Sequence, residues 1–212
     1  MPDSHGLVIL IHGLWMNGLE LTLLRWRLQA AGFRTKRFHY PTTRAGLEDN
    51  ARRFATFIEQ TPERPLYIVA HSLGGVVTLR AFAQAPDLPV ERAVFLAAPV
   101  RGSSVARAMM QQSWSAKLLG KSGPGVLAAT HAPVWMFAPS LGVLTGTQSV
   151  GAGQIMTHFD GPNDGTVAVA ETTIDGAADR ITVNAGHMSM LASRTVADQV
   201  IHFLRYGWFT RS

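Results

Sequence analysis

The segment Leu66-Tyr67-Ile68-Val69-Ala70-His71-Ser72-Leu73-Gly74-Gly75 starts as a short apolar run rich in β-formers. It leads without a pause into an almost wholly apolar helical run, Val76 to Ala85. Leu66–Ala70 predicts a buried strand, and the pair together predicts a sharp strand-to-helix turn with Ser72 at its tip. Such a turn crowds the positions two before and two after the serine. Ala70 and Gly74 are small enough to stand there, and Gly75 gives the helix room to approach the sheet. A serine so placed emerges at the carboxyl edge of a parallel sheet, above a helix N-terminus that favours negative charge. A serine that merely caps a helix would look the same in isolation. The flanking elements and the partners described below separate the two.

Outward from this turn, short β-rich runs alternate with longer helix-periodic segments. Gly6–Ile11, Phe33–Tyr40, Arg92–Ala97 and Arg180–Asn184 predict further strands. One more is expected at either Trp135–Ala138 or Val143–Thr147. Leu21, Leu24, Leu28 and Ala31 mark one face of a helix that Gly32 stops. Leu47, Ala51, Phe54, Ala55 and Ile58 mark another, whose outer face carries Glu48, Asp49, Arg52 and Arg53, opposite charges spaced four apart. Val196–Arg205 is the closing helix, and 105–139 predicts one or two short helices. The expectation is an α/β fold: a mostly parallel sheet of about six strands with helices on both faces and no large cap domain. Residues 1–212 are read as a single domain, with 105–139 as a short lid segment.

The chain has 212 residues, 47% of them hydrophobic and 16% charged, which suits one globular domain. With no cysteine, disulfides, zinc-thiolate sites and a cysteine nucleophile are excluded. The net charge of +5 is carried mostly by arginines such as Arg25, Arg27, Arg52, Arg53, Arg101, Arg107 and Arg205. They are scattered over different elements and form no stripe that would track a phosphate backbone, so no nucleic-acid partner is expected. Weak attraction to anionic lipid is the remaining use of such a bias. No apolar run reaches the roughly 18 residues of a membrane span. Met1-Pro2-Asp3-Ser4-His5 carries no basic leader, which makes a cytoplasmic protein the expectation.

A serine hydroxyl needs an adjacent base to act at neutral pH. In a fold of this kind the base lies on the loop after the last strand, with an acid between serine and histidine in chain order. Of eight histidines only His187, in Asn184-Ala185-Gly186-His187-Met188, sits there. His202 falls within the final helix, His5 is terminal, His39 is on the second strand, and His131 and His158 lie in the less regular region. Asp164, in the turn-rich loop Gly161–Val167, is the expected acid; Asp160, Asp175 and Asp179 are its rivals. The backbone N–H of Leu73 is the first expected oxyanion donor. Leu14, in His12-Gly13-Leu14-Trp15, is the second, with Trp15 as alternative. His12 and His71 read as structural. Trp15, Met16, Met109, Met110, Trp114 and Met188 are candidates for an apolar acyl pocket.

With these pieces in chain order, the sequence resembles the α/β-hydrolase superfamily, and in particular small bacterial lipases and esterases that share Ala-His-Ser-x-Gly-Gly. The resemblance runs through His12-Gly13, Ala70–Gly75, Leu96-Ala97-Ala98-Pro99-Val100-Arg101-Gly102-Ser103, Asp164-Gly165-Thr166-Val167 and Gly186-His187. The Pro99–Ser103 segment is also similar to a loop of the inositol-deacylating branch. The resemblance implies hydrolysis of a small-molecule or lipid ester through an acyl-enzyme, with no metal or organic cofactor. Ala70 departs from the usual first glycine of the motif, as it does in the small lipases. The alternatives are a thioesterase or acyltransferase working on carrier-bound acyl groups and, from another class, a non-catalytic binding protein on the same scaffold.

Overall fold

The computed structural model describes residues 5–127, 133–151 and 153–211. His131 and the middle of the expected lid segment, 128–132, lie outside the described residues. Six strands, β1 (Leu7–Ile11), β2 (Arg34–Phe38), β3 (Leu66–His71), β4 (Arg92–Leu96), β5 (Ser140–Gly146) and β6 (Asp179–Val183), form one sheet in the order β2-β1-β3-β4-β5-β6. Every neighbouring pair is parallel. All residues of β1 and β3 are buried, which is why both read as unbroken apolar runs. The edge strand β2, Arg-Thr-Lys-Arg-Phe, exposes its charged positions and buries Phe38.

Among the described residues the α-helices are α1 (Thr22–Ala30), α2 (Leu47–Glu59), α3 (Leu73–Gln84), α4 (Ser104–Met110), α5 (Ser113–Leu119), α6 (Gly123–Leu127), α7 (Gly153–Met156) and α8 (Arg194–Tyr206). Because strand side chains alternate between faces, each face of the sheet gathers its own core. Ile9, Ile11, Ile68 and Phe95 meet Phe54 and Ile58 of α2 and Val77 and Phe82 of α3 on one side. Val8, Leu10, Val69 and Leu96 meet Leu24 and Leu28 of α1 and Val200 and Phe203 of α8 on the other. The strand order reverses beside β1: the chain steps outward to β2, then returns to place β3 on the opposite side of β1. Loops leaving the carboxyl ends of β1 and β3 therefore diverge and leave a crevice between them.

Three details differ from the sequence reading. β5 occupies Ser140–Gly146, so of the two candidate strands the one at Val143–Thr147 is nearer, while Trp135–Ala138 is irregular. Trp135 is apolar for packing: it lies edge-on to Phe82 and Phe95 and donates its indole N–H to the carbonyl of Pro139. Among the described residues the segment after β4 forms three short α-helices, α4 to α6, where one or two were expected. On α2 the ion pair is Asp49–Arg52, three residues apart, since Glu48 turns to Arg80 on α3.

Candidate active site

Ser72 stands between β3 and α3 with φ 54° and ψ −124°, a backbone state that a non-glycine residue occupies only under strain. Its N–H is held by the carbonyl of Leu96 at 2.9 Å. The side chain makes no cap hydrogen bond to α3; it points away from the helix, toward His187. The small residues behind it are required by contact. A Cβ at Gly74 would lie 2.7 and 2.8 Å from the carbonyl oxygens of Ile11 and His12, and one at Gly75 would lie 2.3 Å from Cβ of Ala98. α3 thus presses against the end of β1 and against the loop after β4, which fixes the turn.

His187 follows β6 and is nearly buried. The Ser72 hydroxyl donates to its Nε2 at 3.0 Å, and its Nδ1–H donates to Oδ2 of Asp164 at 2.8 Å. Asp164 is fully buried, and its other oxygen, Oδ1, accepts the N–H groups of Thr166 and Val167 at 3.0 and 2.7 Å. Both carboxylate oxygens are therefore paired, as a buried charge requires. The His187 N–H bonds the Asp164 carbonyl at 2.9 Å, locking the two loops together. None of the rival acids is in this position. Asp160 is exposed, Asp175 faces Arg180, and Asp179 is paired with Arg211.

The two other histidines near the site are braces. His71 is fully buried, its ring 4.7 Å from that of His187, and its Nε2–H donates to the His187 carbonyl at 3.0 Å. Burial, reinforced by the neighbouring His187, holds its pKa well below the ordinary histidine value. His12 stacks on Tyr40, whose hydroxyl donates to the His12 carbonyl, and burial lowers its pKa too. Away from the site, His5, His39 and His158 are exposed, and His202 bonds the Trp208 carbonyl.

After β1 the loop folds over Ser72. Its Gly13 N–H meets Sδ of Met16 at 3.2 Å, and the Trp15 N–H donates to Oγ1 of Thr42 at 3.2 Å. Trp15 has φ 59°. Among the described residues the Leu14 N–H has no acceptor. A cavity of about 260 Å³ opens here, lined by Ser72, Leu73, Leu14, Trp15, Met16 and His187, with Met109 and Met188 further along. Met110 and Trp114 do not line it. Met110 lies one residue round α4 from buried Met109, and Trp114 is on the outer side of α5, so both face solvent.

Several contributors carry no clear signal in the sequence. Val105, Ala106, Leu119 and Val126, from α4 to α6, also line the cavity. Thr42 sets the Trp15 backbone. Glu171 is buried and accepts from the N–H groups of Ser104 and Ala168 at 2.5 and 3.0 Å, anchoring the start of α4. Only Ser103, which caps α4 by accepting from Ala106 N–H, carried a local signal.

A doubly wound parallel sheet with a strained serine at the switch point, a histidine after the last strand and a buried aspartate between them is an α/β hydrolase. Residues 2–137 match the family described as serine aminopeptidase, S33, and the chain belongs to that family. Comparison with curated proteins gives no match. Among solved structures, the mature Bacillus licheniformis lipase BlEst2 is similar, with 19% identity and a TM-score of 0.69 over 90% of this chain and 89% of that one. A metagenomic carboxyl esterase is 21% identical with a TM-score of 0.65, over 90% and 67%. A lipase-esterase related protein from Clostridium acetobutylicum is 11% identical with a TM-score of 0.61, over 96% and 94%. At these identities the likeness is one of fold.

Proposed function

We propose that this protein is a serine hydrolase that cleaves carboxylic esters through an acyl-enzyme, with Ser72 as nucleophile, His187 as base and Asp164 as the acid that orients it. The observation that carries the reading is the unbroken chain from the Ser72 hydroxyl through His187 to Asp164, at 3.0 and 2.8 Å, opening on an apolar cavity. His187 takes the Ser72 proton as the oxygen attacks the ester carbonyl, then passes it to the departing alkoxide. A water activated by the same imidazole releases the acid. Asp164 keeps the proton on Nδ1 and stabilises the imidazolium.

Leu73 and Leu14 supply the N–H groups for the oxyanion. Trp15, the alternative to Leu14, has its N–H engaged by Thr42, which favours Leu14. Trp15, Met16, Met109 and Met188 line the acyl side, and α4 to α6 roof it as the lid segment. An aminopeptidase needs an anion to hold the free ammonium group of its substrate. No carboxylate lines the cavity among the described residues, which favours an uncharged acyl group.

Replacing Ser72 with alanine is expected to lower turnover of p-nitrophenyl esters by about 10⁴–10⁶-fold, since the triad acts as a unit. The native protein should turn over these esters far faster than an aminoacyl p-nitroanilide. Near-native ester turnover in folded S72A contradicts the mechanism; preference for the anilide contradicts the substrate class. An acyl-thioester run alongside tests the thioesterase alternative.

A further inference from the structure

Beside the cavity mouth, α5 turns a face with an unusual composition to solvent. Trp114, Lys117 and Leu118 stand three and four residues apart and share one side of the helix, and Lys121 follows just past its end, in the short turn Gly120–Ser122. Ser115 and Leu119 are its buried residues. Trp114 and Leu118 are 62% and 50% exposed. Trp15, 59% exposed, joins this face, because its indole N–H donates to the Leu118 carbonyl at 2.8 Å. Trp15 and Leu119 also line the cavity, so the apolar rim and the acyl site are continuous.

The charged residues on and around α5, from Arg101 to Lys121, are all basic. No acidic residue occurs between Glu91 and Asp160. Lys117 and Lys121 are exposed, and the Lys121 N–H bonds the Thr43 carbonyl at 2.9 Å, bringing exposed Arg44 to the same side. Among the described residues none of these three cations has an ion-pair partner. The acids at the start of α2, Glu48 and Asp49, are engaged by Arg80 and Arg52, while Glu171 faces Arg107.

We infer that this rim docks the protein on an anionic lipid surface, with Trp15, Trp114 and Leu118 entering the headgroup boundary while Lys117, Lys121 and Arg44 meet the lipid phosphates. Indole rings favour that boundary, and lysines extend their apolar stems along it to keep the ammonium groups in the polar layer. Docked this way, the cavity mouth faces the lipid. Only the use of the surface to collect substrate rests on the ester-hydrolase reading; the docking itself does not.

The test is co-sedimentation with vesicles of phosphatidylcholine alone and of phosphatidylcholine with 30% phosphatidylglycerol. Each basic residue near an anionic surface is worth about 1 kcal/mol, or about fivefold in binding. K117Q/K121Q is therefore expected to weaken binding to the anionic vesicles by about 10–30-fold, with soluble p-nitrophenyl acetate turnover unchanged. Raising salt should weaken native binding in the same direction. W114S should weaken binding to the anionic vesicles without altering the salt response. Equal binding to both vesicles, binding to neither, or native-like binding by K117Q/K121Q overturns the proposal. So does sedimentation showing a dimer that W114S dissociates, since the rim would then be covered by a second copy. Loss of turnover in the native protein with binding intact would count against the ester reading alone.

Discussion

At the scale of single residues, the site depends on how Asp164 divides its two oxygens. Oδ1 is spent on the Thr166 and Val167 backbone, so Oδ2 has one partner, His187, and holds it in one tautomer. D164N would offer a donor where an acceptor is needed. Its turnover of p-nitrophenyl esters is expected to fall by about 10²–10⁴-fold. D160N, at an exposed position, should stay near native. The reverse pattern would move the acid to Asp160. The meeting of Ser72, His187 and Asp164 was legible because sequence context restricts each strongly: a strand-turn-helix with small neighbours, a histidine after the last strand, and a turn-rich loop between. Met110 and Trp114 were not, because apolar character alone does not say which side of a short helix faces the cavity.

Among the elements, the contact of α3 with the end of β1 controls the serine turn. Alanine at Gly74 would gain about 1 kcal/mol of helix propensity. It would also thrust a methyl against two backbone oxygens that no rotamer change can move. Overpacking of this sort costs about 1–3 kcal/mol. The net cost is up to about 2 kcal/mol, and at about 2–4 °C per kcal/mol for a chain this long, G74A should melt lower by up to about 8 °C and lose ester turnover as well. An unchanged melting temperature with full turnover would mean that the contact is not tight. β1 and β3 were readable as unbroken apolar runs with clean boundaries, and α2 and α8 because each keeps one helical period. The region from Val105 to Pro139 was not. Its helices are only five to seven residues long, too short to express a period, and they are held by distant partners such as Glu171. Trp135 belongs to the same class: its apolarity serves a cluster with Phe82 and Phe95, and prolines 133 and 139 bracket it.

For the whole molecule, burial of neutral His71 and His12 links stability to pH. As pH falls below about 6.5, the unfolded chain takes up protons at these histidines that the folded protein refuses. Stability is thus fully present above that value and lost as pH falls toward the depressed folded pKa of each, by at most about 1.4 kcal/mol per pH unit per group. Melting followed from pH 7.5 to 5.5 should show this loss, and H71Q, which keeps a donor for the His187 carbonyl, should show a flatter profile. Identical profiles would mean that His71 is not kept neutral by the fold. The central strands were readable, since a sheet buried on both faces writes β1 and β3 as apolar runs; the exact place of β5 and the number of helices over the cavity were not. The claim on which the account rests is that residues 72, 164 and 187, far apart in sequence, work as one nucleophilic unit. Intact-mass and peptide analysis after treatment with a fluorophosphonate tests it most directly. The account predicts a single adduct on Ser72 in the native protein and essentially none in folded H187A; an unmodified Ser72, or equal labelling in H187A, would contradict it.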